Sequence, residues 1–447
     1  MALMISVSGI RGIFGSDLNP ENIAQYTAAF AEWSGKGTII LGRDSRITGP
    51  VCERIVVGTL ESMGCKVINL GMAPTPTVAM AVDKHKASGG IILTASHNPA
   101  NWNALKLLDR KGEFLDAEDG NAVIETAQNR SYSYNSYDRL GTYEEDLHAV
   151  LSHIEQILDL PYINPSTIRK ANISVGLDAV NGAGSEAIPE LLRKLNVSNV
   201  NCLYCKPDGV FPHDPEPLPE NLADICQYVK DNNCDIGFIT DPDADRLAVV
   251  DENGELWGEE YTQAAAFDFM LSQVAGPCAT NLSSSRVADD VAKRYGQKCH
   301  RSAVGEVNVV TAMKNKKAVI GGEGNGGVIN PDLHYGRDAL VGIAMILQHL
   351  ANKKQKASEY RASLPDYAIR KKKINLQDTD AESMLSKAKE QFKEYNPNTT
   401  DGVKIDFDEG WVHLRPSNTE PILRVYSEGK TPEAAEKLAN QVIQQLQ

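Results

Sequence analysis

No apolar run in this chain approaches the roughly 18 residues needed to span a bilayer, so a membrane protein is not expected. The opening MALMISVSGIRG lacks both the basic lead and the apolar length of a secretion signal, and a cytoplasmic location follows as the expectation. Basic tracts are missing beyond Lys371-Lys372-Lys373, and the formal net charge is -14. That balance argues against a nucleic-acid partner, which would draw on clustered Lys and Arg. A small anionic substrate stays compatible, because a local basic pocket can sit inside an acidic protein. Cysteine is thin, with eight in 447 residues, and the single CxxC, Cys202 and Cys205, has no second pair or histidine pair at zinc spacing. The pattern reads as reduced core thiols, with Cys202 and Cys205 as packing residues rather than a metal or redox site. Low-complexity tracts and a GxSxG serine motif are absent as well.

What is present is a recurring unit: a short β-branched run, a loop rich in Gly, Asp, Ser or Asn, then a helix-like stretch. TIILGRDSR at 38, GGIILTASHNP at 89, ISVGLDAVNGAG at 173, CDIGFITDPDADR at 234 and KAVIGGEGNGG at 317 all follow it. Strands apolar on both faces and alternating with helices predict mostly parallel sheets covered on two sides, with ligand loops at the strands' carboxyl ends. The last eighty or so residues differ, since KIDFDEGWVHLR and ILRVYSE beside two helical stretches predict an antiparallel sheet with helices on one face. At 447 residues the chain has material for three or four domains of about 100 to 150 residues.

Four loops could carry chemistry. DPDADR sets Asp241, Asp243 and Asp245 at alternate positions of a turn, and crowded carboxylates of that kind suit a hard cation, Mg²⁺ or Ca²⁺. Arg246 stands where an EF-hand needs glycine, which rejects that motif; a plain solvated turn needs fewer acids than three. In TASHNP, Ser96 is a poor nucleophile unless activated or already modified, and by themselves His97 and Asn98 read equally well as turn formers before Pro99. GGEGNGG matches GxGxxG, but VINPDLHYG follows it where a dinucleotide fold would start a helix. Glu323 and Asn325 in that low-bulk loop could instead reach a sugar's hydroxyls. RPSNTEPILR places Arg415 and Arg424 around Ser417, Asn418 and Thr419, a donor set matched to phosphate or, for the Ser and Asn alone, a hairpin turn.

Taken together and in order, SGIRG (Ser8 to Gly12), GRDSR (Gly42 to Arg46), TASHNP, WNALK (Trp102 to Lys106), DPDADR, the Glu323 loop and RPSNTEP resemble the α-D-phosphohexomutase family over essentially the whole chain. The resemblance implies three related α/β domains and a smaller C-terminal α+β domain around a central cleft. The segments would be 1–146 (phosphoserine), 147–253 (metal), 254–366 (sugar) and 367–447 (phosphate). It implies an isomerase that interconverts hexose 6-phosphate and hexose 1-phosphate through phosphoserine at Ser96 and a bound 1,6-bisphosphate. One Mg²⁺ per chain would be held by Ser96, Asp241, Asp243 and Asp245, and hexose 1,6-bisphosphate would serve as activator. Lys106 or His97 would handle the proton and Arg11 would lie at the cleft floor. Arg246, Glu323, Asn325, Arg415, Ser417, Asn418, Thr419 and Arg424 would bind substrate, with the protein a monomer or homodimer.

Two departures touch the sugar. Asn325-Gly326-Gly327 stands where many members have Ser-Gly-His, and Ala104 where glycine is frequent. GEGNGG with PEPLPENL (215 to 222) looks most similar to phosphoglucosamine mutases and to broad phosphogluco/phosphomannomutases. The competing readings are a Mg-dependent sugar-phosphate phosphatase with an aspartate nucleophile in DPDADR, and a non-catalytic sugar-phosphate binding protein.

Overall fold

The computed structural model describes residues 3–6, 9–376, 380–416 and 422–446. It divides into two compact units, Met1–Thr262 with Gly326–Glu359, and Gln263–Asn325 with Tyr360–Gln447.

In the first unit, the alternation of apolar residues along each strand decides which helices cover which face. Ile39 and Leu41 of strand Thr38–Arg43, with Ile91 and Leu93 of Gly89–Leu93, pack against Phe30, Val56, Leu60 and Val123. The residues between them, Ile40 and Ile92, face Val78 and Val82 of helix Thr75–Lys84. A period of two thus buries both faces of one sheet. Its order is Met4–Ser6, Gly9–Ile13, Trp102–Leu108, Gly89–Leu93, Thr38–Arg43, Lys66–Met72, Thr142–Glu145.

That sheet is mixed rather than mostly parallel. Gly89–Leu93 pairs in parallel with Thr38–Arg43 but antiparallel with Trp102–Leu108. The reason lies in the loop: residues 94–101 are too few for a parallel crossover, which needs a dozen or more. The same holds in the second sheet, ordered Leu247–Asp251, Ile236–Thr240, Ser174–Asp178, Asn199–Leu203, where Ile236–Thr240 is antiparallel to Leu247–Asp251 and parallel to Ser174–Asp178. Both TASHNP and DPDADR are therefore short connections between antiparallel neighbours. Helix Ala339–Lys353 completes the unit; Asp338 caps it by accepting from the Leu340 and Val341 amides.

In the second unit, Cys278–Asn281 pairs in parallel with both Cys299–Ser302 and Ile320–Glu323. The C-terminal sheet is fully antiparallel, ordered Ala368–Asn375, Ile422–Gly429, Gly410–Pro416, Val403–Asp406. Helices Ala381–Gln391 and Pro432–Leu446 bury Met384, Ala388, Leu438 and Val442 against Leu414, Leu423 and Val425. The C-terminal α+β segment follows the sequence pattern. Among the described residues no helix is long and apolar enough to cross a membrane.

Candidate active site

Ser96 comes three residues after the fully buried strand Gly89–Leu93, with a backbone φ of 49°. A left-handed serine is uncommon and needs support. It gets support from Thr94, whose Oγ1 accepts from the Ser96 amide at 2.9 Å, and from Arg46. The Arg46 guanidinium is fully buried and donates to the carbonyls of Ser96, Asn98 and Pro99, each at 2.6 Å, and of Trp102 at 3.1 Å. Its Nε pairs with buried Asp44 at 2.9 Å, and Asp44 also accepts from Thr94 Oγ1 at 2.7 Å. Phe211 stacks on the guanidinium, 5.0 Å from the ring centre. GRDSR was noted as a motif, yet its local pattern does not mark Arg46 as the clamp of the serine loop.

The Ser96 hydroxyl donates to Asp241 Oδ2 at 2.7 Å. Residues 145 apart in sequence thus meet, and Asp241 brings its neighbours with it. The candidate ligand atoms of Asp241, Asp243 and Asp245 lie within 4.8 Å of one another, and all three residues are buried. Several contacts hold this loop. The Thr75 hydroxyl and the Lys106 ammonium donate to Asp243 Oδ2 at 2.6 and 2.8 Å, and the Arg337 guanidinium donates to Asp245 Oδ2 at 2.6 Å. The Asp241 side chain accepts from the amides of Asp245 and Arg246, both at 3.2 Å, which closes the turn on itself. Arg337 was not anticipated, because it enters from the segment just before the Asp338 cap and shares no local motif with the aspartates.

The electrostatics of this cage bear on the kind of ion it fits. Burial, with the charges of Asp245 and Asp243, pushes the Asp241 carboxyl well above the usual carboxylate range. For Asp243, burial acts in the same direction, but Lys106 and Thr75 outweigh it and hold the carboxyl low. Asp243 Oδ1 and Asp245 Oδ1 are buried with no hydrogen-bond partner. Two orphaned carboxylate oxygens in a three-carboxylate cage fit a hard divalent cation.

Around the serine stand further polar groups. His97 Nδ1 lies 3.3 Å from Ser96 Oγ. Burial, then the cations Arg246 and Lys106, draw the imidazole down to about 3, which leaves it neutral at physiological pH. Arg11 donates to Asn98 Oδ1 at 3.5 Å, and Arg246 lies 3.8 Å from Glu216, in the PEPLPENL segment. The first unit therefore gathers Ser96, His97, Lys106, Arg11, the three aspartates and Arg246.

The other expected residues belong to the second unit. Glu323 ends strand Ile320–Glu323, buried, with Oε1 accepting from the Asn281 side chain at 3.0 Å and from the Gly305 amide at 3.2 Å. Asn325 lies two residues on. Arg415 and Arg424 are directly opposed across the hairpin, and Arg424 is directly opposed in turn to Lys373 on strand Ala368–Asn375. Like charges opposite one another are unfavourable in a sheet, so a row of three cations calls for an anion. Arg415 has one partner in Asp401, at 2.8 Å. Lys373 was missed because its strand is forty residues or more away in sequence. Ser417, Asn418 and Thr419 lie outside the described residues.

Comparison with known proteins gives a consistent answer along the chain. Residues 3–133, 151–254, 258–367 and 373–445 match, in order, the models of phosphoglucomutase/phosphomannomutase α/β/α domains I, II and III and of its C-terminal domain. A phosphoglucomutase/phosphomannomutase from Thermococcus kodakarensis is 36% identical over 97% of this chain and 96% of its own. A sequence named a probable phosphoglucosamine mutase from Methanopyrus kandleri is 32% identical over 99% of this chain and 97% of its own. Among solved structures, a phosphoglucomutase/phosphomannomutase family protein from Burkholderia thailandensis superposes with a TM-score of 0.86 at 24% identity, covering 99% of this chain and 98% of that one.

Proposed function

The chain belongs to the phosphoglucomutase/phosphomannomutase family and is a phosphohexomutase, an isomerase; from that premise we propose that Ser96 is its phosphoryl carrier and that hexosamine phosphate is its substrate. The phosphatase alternative finds no support, since all four matched segments belong to a mutase family. The observation that carries the reading is the 2.7 Å bond between Ser96 Oγ and Asp241, beside two unpartnered carboxylate oxygens.

In this reading the enzyme starts as phosphoserine. A hydroxyl of the hexose phosphate attacks the phosphorus, the bond to Ser96 Oγ breaks, and the hydroxyl's proton passes to a nearby base. The resulting 1,6-bisphosphate turns end for end, and Ser96 takes the other phosphoryl group while a proton returns to the sugar oxygen. Bound Mg²⁺, one per chain, would be held by Asp241, Asp243, Asp245 and an oxygen of the phosphoserine, and would offset charge on the transferring group. Lys106, tied to Asp243, and His97, whose Nδ1 lies 3.3 Å from Ser96 Oγ, are the acid/base candidates. Arg246 and Arg11 steady the serine-bound phosphate. Glu323 and Asn325 take the sugar's hydroxyls, and Arg415 and Arg424, joined by Lys373 and by Ser417, Asn418 and Thr419, take the stationary phosphate. The work is thus divided over segments 1–146, 147–253, 254–366 and 367–447 of a cytoplasmic monomer or homodimer, with hexose 1,6-bisphosphate restoring any enzyme that loses its phosphate.

Glucosamine phosphate is favoured by the GEGNGG form of the sugar loop and by PEPLPENL. The test is intact mass and turnover together. Wild type should carry a species heavier by one phosphate, absent from Ser96→Ala, whose turnover falls to background; Ser96→Ala protein that keeps turnover overturns the mechanism. Parallel assays with glucosamine, glucose and mannose phosphates, primed with bisphosphate, decide the sugar.

A further inference from the structure

Read as packing residues from sequence, Cys202 and Cys205 are not a core pair. Cys202 is exposed on strand Asn199–Leu203, and Cys205 is half-buried. The Cys205 Sγ lies 3.2 Å from the carbonyl of Leu203 and 3.8 Å from that of Leu177, the residue in register with Cys202. Between the cysteines, Tyr204 turns the chain back at a φ of 45°. The neighbouring Cys205 thiol draws Cys202 down to about 7, while Cys202 and burial push Cys205 up. An exposed, acidified thiol beside a resolving thiol is the arrangement that undergoes disulfide exchange. The remaining cysteines differ: Cys52, Cys65, Cys234, Cys278 and Cys299 are buried, and burial raises the half-buried Cys226.

The pair also opens a loop tied to both reacting loops. The Tyr204 carbonyl accepts from the Asn181 amide at 2.7 Å, and Asn181 Oδ1 accepts from the Lys206 amide at 2.9 Å. Val180 and Asn181 stand at φ values of 45° and 55°, so this turn is strained and depends on its contacts. Two residues further, the Ala183 amide donates to the Pro242 carbonyl at 2.7 Å, between Asp241 and Asp243. In the other direction Gly209, at a φ of 72°, lies so close to the serine side that a Cβ there would fall 2.2 Å from the Ser45 carbonyl. Phe211 then covers Arg46, and Glu216 reaches to 3.9 Å from His97 Nε2.

We propose that Cys202 and Cys205 form a reversible thiol–disulfide site for small disulfides, and that closing the bond loosens the aspartate loop. The Cys202 thiolate attacks one sulfur of a small disulfide and expels a thiolate. Cys205 then gives up its proton and attacks the Cys202 sulfur, expelling the second small thiolate. The protein loses two hydrogens and the small disulfide gains them. To make the bond, Cys205 leaves the Leu203 and Leu177 carbonyls, Tyr204 gives up its left-handed geometry, and the Asn181 amide loses its acceptor. The strained turn that holds Pro242 is then released. The bond rests on the cysteines alone; its effect on catalysis rests on the phosphoserine and metal reading above.

The experiment treats the full chain with oxidised glutathione, maps disulfides by peptide mass, and measures hydrogen exchange over residues 178–183 and 240–246 in both forms. Magnesium affinity is read by calorimetry. The expected result is a Cys202–Cys205 bond reversed by dithiothreitol, exchange several-fold faster in both segments, and magnesium affinity lower by on the order of tenfold, the scale of lost outer support to a metal site. Cys202→Ser should show none of these changes. Absence of the bond, or a bond with unchanged exchange, overturns the proposal. A reduced protein that binds no magnesium would instead overturn the metal reading, while exchange still decides this one.

Discussion

Arg46→Met tests whether the serine loop is set by one buried guanidinium. The substitution keeps an apolar stem of similar length and removes donors to Asp44, Ser96, Asn98, Pro99 and Trp102. At about 1.5 kcal/mol for each bond from a charged donor, the five amount to roughly 7.5 kcal/mol, more than the net loss because freed carbonyls can regain water. Deleting one partner of a buried ion pair costs about 3–5 kcal/mol, so a loss of about 4 kcal/mol is expected, together with most turnover. The pH dependence carries a sign. Burial already raises the Asp44 carboxyl, with Arg46 pulling the other way. Without Arg46 the folded carboxyl rises further, so the folded state holds a proton that the unfolded state releases above about pH 4. The variant therefore loses stability as pH rises, and its deficit is larger at pH 8 than at pH 5. Urea unfolding at both pH values, with hydrogen exchange of residues 94–102, measures this. A variant within about 1 kcal/mol of wild type at pH 8, or a deficit that grows toward acid, refutes the reasoning.

Three other outcomes are expected. Buried His413 donates through Nε2 to the Asp401 carbonyl at 2.6 Å and accepts at Nδ1 from Ser283 at 2.9 Å, and burial draws it down to about 4. The unfolded chain thus takes up a proton below about pH 6.5 that the fold refuses until about pH 4, so about 3 kcal/mol of stability is lost across that window; His413→Gln, followed by denaturant midpoints from pH 7 to 4, should flatten the loss. Arg424→Gln removes the middle cation of the row with Lys373 and Arg415, so KM for hexose phosphate should rise about tenfold with thermal stability unchanged or slightly higher, as steady-state kinetics and melting would read. Asp243→Asn removes the carboxylate 2.8 Å from the Lys106 ammonium and with it a cage ligand, and calorimetry should show magnesium binding weakened by on the order of a hundredfold.

The chemistry was more legible in the sequence than its support. Ser96 and the three aspartates could be singled out because reactive or mutually repelling groups at strand ends demand an explanation by themselves. Arg46 could not, since its function is to satisfy carbonyls up to 56 positions away, and backbone acceptors leave no mark on sequence. Arg337 and Lys373 were hidden for the same reason, each completing a cluster through a partner far along the chain. The antiparallel direction of Trp102–Leu108 and Leu247–Asp251 was not read from the sequence, because alternation gives burial but only loop length gives direction. The CxxC was judged by what it lacked in zinc spacing, whereas its exposure and the bend at Tyr204 are properties of the fold.

The cation row on the C-terminal sheet spans three adjacent strands, and with strands about 4.8 Å apart its outer members stand nearly 10 Å from each other at the backbone. A tetrahedral oxyanion is far narrower than that. Under the proposed function the array would act as a rail, not a socket: an anchored phosphate would slide from one pair of charges to the next and keep its counter-ions while the remainder of the molecule rotates about it.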